Sequence, residues 1–287
     1  MAMIVGVHGV NQQLKGSAVL LDEWWPSLKD GVAAAGRTVA DGALACAFYG
    51  GLFRAVETQR SGGAEPAYRA ADVQDDFEKE LLELWWDEAA RAEPHRVVSP
   101  QAAVRGTPAL VQSGLRALSR STFFAGMAER ALIGSLKQVR RYMREPAIRN
   151  AAQEAVDAVV SAETRILVAH SLGTVVAYEA LHRYAGAEKW ANVQTLVTLG
   201  SPLGIRNLIF DALLPAPDGG KGRWPVLIHR WTNISDDGDV VALQKRLGGL
   251  FSGDLVDMRI DNEARAHDVS PYLTSRATGA AIADGLA

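Results

Sequence analysis

The stretch that most constrains this chain is 164–179, TRILVAHSLGTVVAYE. Ile166, Leu167, Val168 and Ala169 make a short unbroken apolar run, the pattern of a strand buried on both faces in a parallel sheet covered by helices. A helix follows almost at once, with Val175, Val176 and Leu181 and the small Ala177 and Ala180 giving it an apolar surface toward that sheet. Only His170, Ser171, Leu172 and Gly173 lie between them, so the backbone must reverse within a few residues, and Ala169 and Gly173 are the small side chains that leave room for it. Strand, sharp turn and helix in that order imply an α/β architecture.

This turn resembles the nucleophile elbow G-x-S-x-G, with Ala169 in place of the first glycine. An elbow of this kind holds one serine oxygen in the open at the N-terminus of a helix, whose dipole favours negative charge. On that reading Ser171 is a catalytic nucleophile. The plainer alternative is a serine that caps a helix.

Composition narrows the partners. The 287 residues are 48% hydrophobic and 22% charged with a formal net charge of -3, enough for one large α/β domain or two small ones, and the basic residues form no long run. Nucleic acid is therefore not an expected partner. The single cysteine, Cys46, excludes an intramolecular disulfide and a cysteine-cluster metal site, and it lies in an apolar, strand-like run over 43–48. No pair among the six histidines has metal-ligand spacing, so neither metal nor cofactor is implied. Residues 3–7 run directly into His8 and Gly9 without a basic leader and cleavage site, and no apolar run reaches the roughly 18 residues of a membrane span. A cytoplasmic location is the expectation.

Along the chain, 2–7 predicts a buried strand ending in His8, Gly9, Val10, Asn11 and Gln12. Strand-His-Gly, followed much later by strand-His-Ser-Leu-Gly, resembles the α/β-hydrolase superfamily in its lipase and esterase branch. The resemblance covers 2–51 and 164–287. It implies two oxyanion-hole amides, one after the early strand and one after the nucleophile, which fall here on Val10, with Gly9 beside it, and on Leu172. His8 then belongs to the oxyanion loop, and His170 is the variable position of the elbow. Further strands are expected at 43–49, 193–199, 227–234 and 255–260. The expected fold is a mostly parallel sheet of about six strands flanked by helices, with the elbow on the third, like a hydrolase core lacking its first strands.

Helices are expected over 20–35, 72–91, 110–118, 122–144, 146–162 and 271–286, with a shorter helix or turn at 208–214. The polar, small-residue stretch 58–66 predicts a surface loop. Residues 1–57 and 163–287 thus form the core, and 58–162 a helical insertion that is a candidate cap or lid. Within it, 123–144 carries Phe123, Phe124, Met127, Leu132, Leu136 and Val139 beside Arg130, Lys137, Arg140, Arg141 and Arg144. A membrane-resting helix is one reading of that pattern. An apolar stripe buried in the core, with its charges in solvent, is the favoured one.

After the elbow, Ser201 is a rival serine, but its Gly-Ser-Pro turn lacks a following helix and suits a pocket neighbour instead. The strand at 227–234 leads into Asp236, Asp237 and Asp239, where the family places its acid. By that resemblance Asp239 is the first choice, because it precedes Val240 and Val241, with Asp237 second and Asp236 third. His267 is the histidine that follows both the last strand and the acid, giving the family's chain order Ser171, Asp239, His267. The implied reaction is cleavage of a small acyl substrate, an ester by lipase or esterase chemistry. A thioester or peptide bond cleaved by the same parts, or a silent hydrolase fold used for binding, are the alternatives. The oligomeric state is left open.

Overall fold

A computed structural model describes residues 2–54, 68–100, 107–124 and 127–287. Six strands, β1 (Ile4–Val7), β2 (Leu44–Ala47), β3 (Ile166–His170), β4 (Thr195–Leu199), β5 (Arg230–Asp236) and β6 (Leu255–Ile260), form one sheet in the order β2-β1-β3-β4-β5-β6. Every pairing is parallel, where a mostly parallel sheet was the expectation. Among the described residues eight α-helices flank it: α1 (Ser17–Ala34), α2 (Asp76–Ala92), α3 (Pro108–Leu118), α4 (Glu129–Arg144), α5 (Pro146–Asp157), α6 (Leu172–Arg183), α7 (Val269–Thr274) and α8 (Arg276–Leu286).

The unbroken apolar strands follow from burial on both faces. Ile4, Leu44, Ile166, Val168, Val197, Leu199 and Ile234 pack with Leu20, Trp24 and Leu28 of α1 and with Tyr272, Leu273 and Ile282 of α7 and α8. Val5, Val7, Ala47, Leu167, Ala169, Leu196 and Trp231 face the other way, toward α6 and α2 to α5. The inserted helices share that second core with the sheet. Leu132, Leu136 and Val139, the apolar stripe of α4, are buried in it, while Lys137 pairs with Glu78 and Arg140 with Asp75 and Glu145. A second tie is buried: Arg149 of α5 is paired with Glu179 of α6, which also accepts from the Tyr142 hydroxyl at 2.7 Å and from Gln153 Nε2 at 3.0 Å. Among the described residues no helix is long and apolar enough to cross a membrane.

Element boundaries differ from expectation where side chains compete for the backbone. The closing helix is two helices, because Ser275 takes an extended conformation and its hydroxyl accepts from Thr278 N, capping α8 afresh. The expected helix over 122–144 starts at Glu129. Ahead of it, Thr122 gives its amide and hydroxyl to Glu93 at the C-terminal end of α2, which holds 122–124 out of the helix. The helix expected to 162 ends at Asp157, and 208–214 holds only a 3-10 turn at Phe210–Ala212. The surface loop expected at 58–66 lies outside the described residues.

Sheet order places the site. From β1 the chain adds β2 on one side, and every later strand goes on the other. The crevice between the carboxyl ends of β1 and β3 is therefore the topological switch point, where ligands bind in open α/β sheets.

Candidate functional site

At that crevice β3 ends and α6 begins, with Ser171 between them at φ 55° and ψ -132°. A left-handed serine costs on the order of 1–3 kcal/mol, and it persists because its surroundings over-determine it. Its N–H donates to the carbonyl of Leu199 at 2.9 Å. Two glycines admit the turn. A Cβ at Gly173 would lie 2.3 Å from the Val7 carbonyl oxygen, and one at Gly9 would lie 2.6 Å from the Ser171 Cβ. No side chain other than hydrogen fits either position.

His267 Nε2 lies 2.9 Å from Ser171 Oγ, and His267 Nδ1 lies 2.7 Å from Asp239 Oδ2. An ionised carboxylate only accepts, so Nδ1 carries the proton and Nε2 is left to accept from the serine hydroxyl. Asp239 is fully buried. Burial opposes its ionisation, but the nearby His267 ring, the hydrogen bonds from His267 and Tyr272, and the Lys245 ammonium together hold the carboxyl below its usual range. Its Oδ1 accepts from Val241 N at 2.9 Å and Ala242 N at 3.2 Å, and its Oδ2 also accepts from the Tyr272 hydroxyl at 2.8 Å. The other two aspartates are engaged elsewhere. Asp237 forms an exposed ion pair with Arg259, and Asp236 accepts from Gly238 N and from Asn262 N, where the loop carrying His267 begins.

The remaining candidates divide by position. Leu172 opens α6, so its amide is one of the four that a helix leaves unpaired. In the β1 loop the Asn11 amide is taken by Gln138 Oε1 at 3.0 Å, whereas the Val10 amide has no acceptor among the described residues. His8 lies behind this loop. Its Nε2 accepts from Tyr49 N at 3.2 Å, its Nδ1 donates to the Gly9 carbonyl at 2.7 Å, and its ring stacks on Tyr49. Burial pushes His8 down to about 4, so the imidazole is neutral. Ser201 is buried, with its hydroxyl 2.8 Å from Thr174 Oγ1 and accepting from Leu203 N, away from the cavity wall.

Ser171 does not stand in the open, as the elbow pattern led one to expect. The residue is 3% exposed and lies in the wall of a cavity of about 90 Å³ that α2 and α4 help to enclose. Leu81, Trp85, Phe124, Val139, Ile205 and Ile209 supply much of its apolar lining. The apolar cover over the serine comes largely from the insertion, which has no counterpart in the elbow motif.

Of three supporting groups, sequence reasoning named only His170, and that as the variable position of the elbow. Tyr272 steadies the acid. His170 donates from Nε2 to the backbone carbonyl of His267 at 2.9 Å, its ring 4.7 Å from the His267 ring. Burial, followed by the proximity of His267, pushes His170 down to about 3. The third group is on α4, where Gln138 takes the Asn11 amide and the Ser135 hydroxyl accepts from Asn11 Nδ2 at 2.8 Å, fixing Asn11 at φ 62°. Neither periodicity nor spacing marks these residues, because each acts on an element distant in the chain. No family model, curated protein or solved structure matches the chain.

Proposed function

We propose that this protein is a serine hydrolase that cleaves a carboxylic ester through an acyl-enzyme, like the lipase and esterase branch of the α/β-hydrolase superfamily. The observation that carries the reading is the continuous hydrogen-bonded line from Ser171 Oγ through the His267 ring to Asp239, at 2.9 and 2.7 Å, opening on an apolar cavity.

A serine hydroxyl attacks a carbonyl only when a base takes its proton, and His267 Nε2 is within reach to do so. Asp239 fixes the tautomer that leaves Nε2 free and stabilises the imidazolium formed during attack. The neighbouring His170 stays neutral and adds no positive charge beside that cation. The amides of Leu172 and Val10 receive the oxyanion, and one such donor is worth roughly 3 kcal/mol of barrier. His267 returns the proton to the leaving alcohol. Water, activated by the same imidazole, then releases the acid and regenerates the serine.

A fluorophosphonate probe tests this directly. Labelling of the wild type that disappears in Ser171→Ala and weakens strongly in His267→Ala is the expected result. No labelling of the folded wild type would overturn the enzyme reading in favour of a binding module. Labelling with turnover of thioesters but not of oxygen esters would move the substrate class to thioesters.

A further inference from the structure

The cavity at Ser171 has two unlike ends. His267 is half-buried and Asp268 exposed, so they mark its mouth, with the half-buried Phe123 and Met127 beside them. Leu81, Val139 and Ile209 are buried and mark its closed end, with Trp85 one helical turn from Leu81 and the buried Ser135 one turn from Val139. That end is held in place. Leu81 and Val139 sit on α2 and α4, which are joined by the Lys137 to Glu78 pair at 3.3 Å and the Arg140 to Asp75 pair at 3.0 Å.

Proton return fixes the orientation of an ester. The leaving oxygen must face His267 Nε2 to be protonated, which directs the alcohol toward the mouth and the acyl substituent toward Leu81 and Val139. Volume then sets the length. An apolar cavity of about 150 Å³ accepts the six carbons of benzene, so about 90 Å³, mouth included, has room for at most about four.

We propose, resting on the hydrolase reading above, that the closed end is an acyl pocket limiting the substrate to esters of short, uncharged acyl groups, up to about four carbons with the carbonyl included. Leu81 and Val139 are its length-determining residues. An anionic acyl end is disfavoured because no Lys or Arg lines the cavity among the described residues, and burying a carboxylate without a countercharge is far more costly than burying a methyl group.

The test is a series of p-nitrophenyl esters from acetyl to dodecanoyl, run on the wild type and on Val139→Ala and Leu81→Ala. The expected wild-type kcat/KM peaks between acetyl and butyryl and falls by about tenfold or more at octanoyl, since one methylene too many in a fitted apolar pocket already costs about tenfold. Both substitutions are expected to move the peak toward longer chains; Val139→Ala removes the least volume and keeps the test open if Leu81→Ala does not fold. Octanoyl hydrolysed as well as butyryl by the wild type, or an unchanged profile in a folded Val139→Ala, overturns the proposal. Fluorophosphonate labelling separates the two levels: Ser171 labelled with a long-chain profile sinks only the acyl pocket, whereas an unlabelled wild type sinks the hydrolase reading and the pocket with it.

Discussion

The two sides of Ser171 are built differently. On the imidazole side, Asp239, His267 and Tyr272 all come from segments at or after the carboxyl end of β5, and Asp239 is fixed by backbone amides two and three residues away. On the oxyanion side, the loop after β1 is held by Gln138 and Ser135, more than a hundred residues away on an inserted helix. The charge-handling half of the site is thus intrinsic to the sheet's own loops. The half that would receive the oxyanion and the acyl group depends on how α2 and α4 dock.

The largest effect is expected on the intrinsic side. Asp239→Asn keeps the shape but places an amide where only an acceptor suits the Nδ1 proton, which favours the wrong tautomer of His267. A fall in kcat of about 10⁴ is expected, with little change in KM, measured on the best ester of the series. Asp237→Asn should leave kcat unchanged, since Asp237 pairs with the exposed Arg259. Equal effects of the two substitutions would contradict the assignment of the acid.

On the borrowed side the effect is smaller, because the residue acts through another. Gln138→Met strands the Asn11 amide and loosens the loop that carries the Val10 N–H. Losing an oxyanion donor outright costs about 10²–10³ in kcat, and misplacing one should cost roughly tenfold. KM should be unchanged, and Gln138→Glu should recover most of the loss because a carboxylate oxygen accepts the same N–H. An unaltered kcat in Gln138→Met would show that the β1 loop holds itself, and would remove the distinction between the two sides.

That same division explains what was legible in the sequence. All six strands were: burial on both faces forces runs such as Ile166 to Ala169 in the central strands, whereas the edge strand β6 is largely exposed and carries Asp257 and Arg259. The close approach at Gly173 was legible from the short turn around Ser171, and so were His267 and the acidic turn, whose relevant feature is order along the chain. The cover over Ser171 was legible only as a candidate cap over 58–162, without its lining residues. Leu81 and Val139 look like any core residue at helical spacing, and only docking onto the sheet turns them into a cavity wall. Tyr272 was hidden for a related reason: Ser275 splits the closing helix, and the short α7 so formed carries Tyr272, whose hydroxyl reaches Asp239.

Each side also buries one neutral histidine, His170 behind the imidazole and His8 behind the oxyanion loop. These give the smallest effect, read as stability against pH. In the unfolded chain both titrate near 6.5, whereas the folded protein holds His8 at about 4 and His170 at about 3. Between those limits the unfolded state binds protons that the native state does not, so stability is full above 6.5 and falls as pH drops toward 4. Each histidine contributes a slope of up to about 1.4 kcal/mol per pH unit. Urea unfolding of the wild type and of His8→Asn, followed at several values from pH 7 to 4.5, isolates one of them. The variant starts less stable at pH 7, having lost the bond from Tyr49 N, and its slope should be shallower by about one proton. Parallel slopes would mean that His8 takes its proton in the native state, and a charged His8 would no longer accept from Tyr49 N to pin the oxyanion loop to the end of β2.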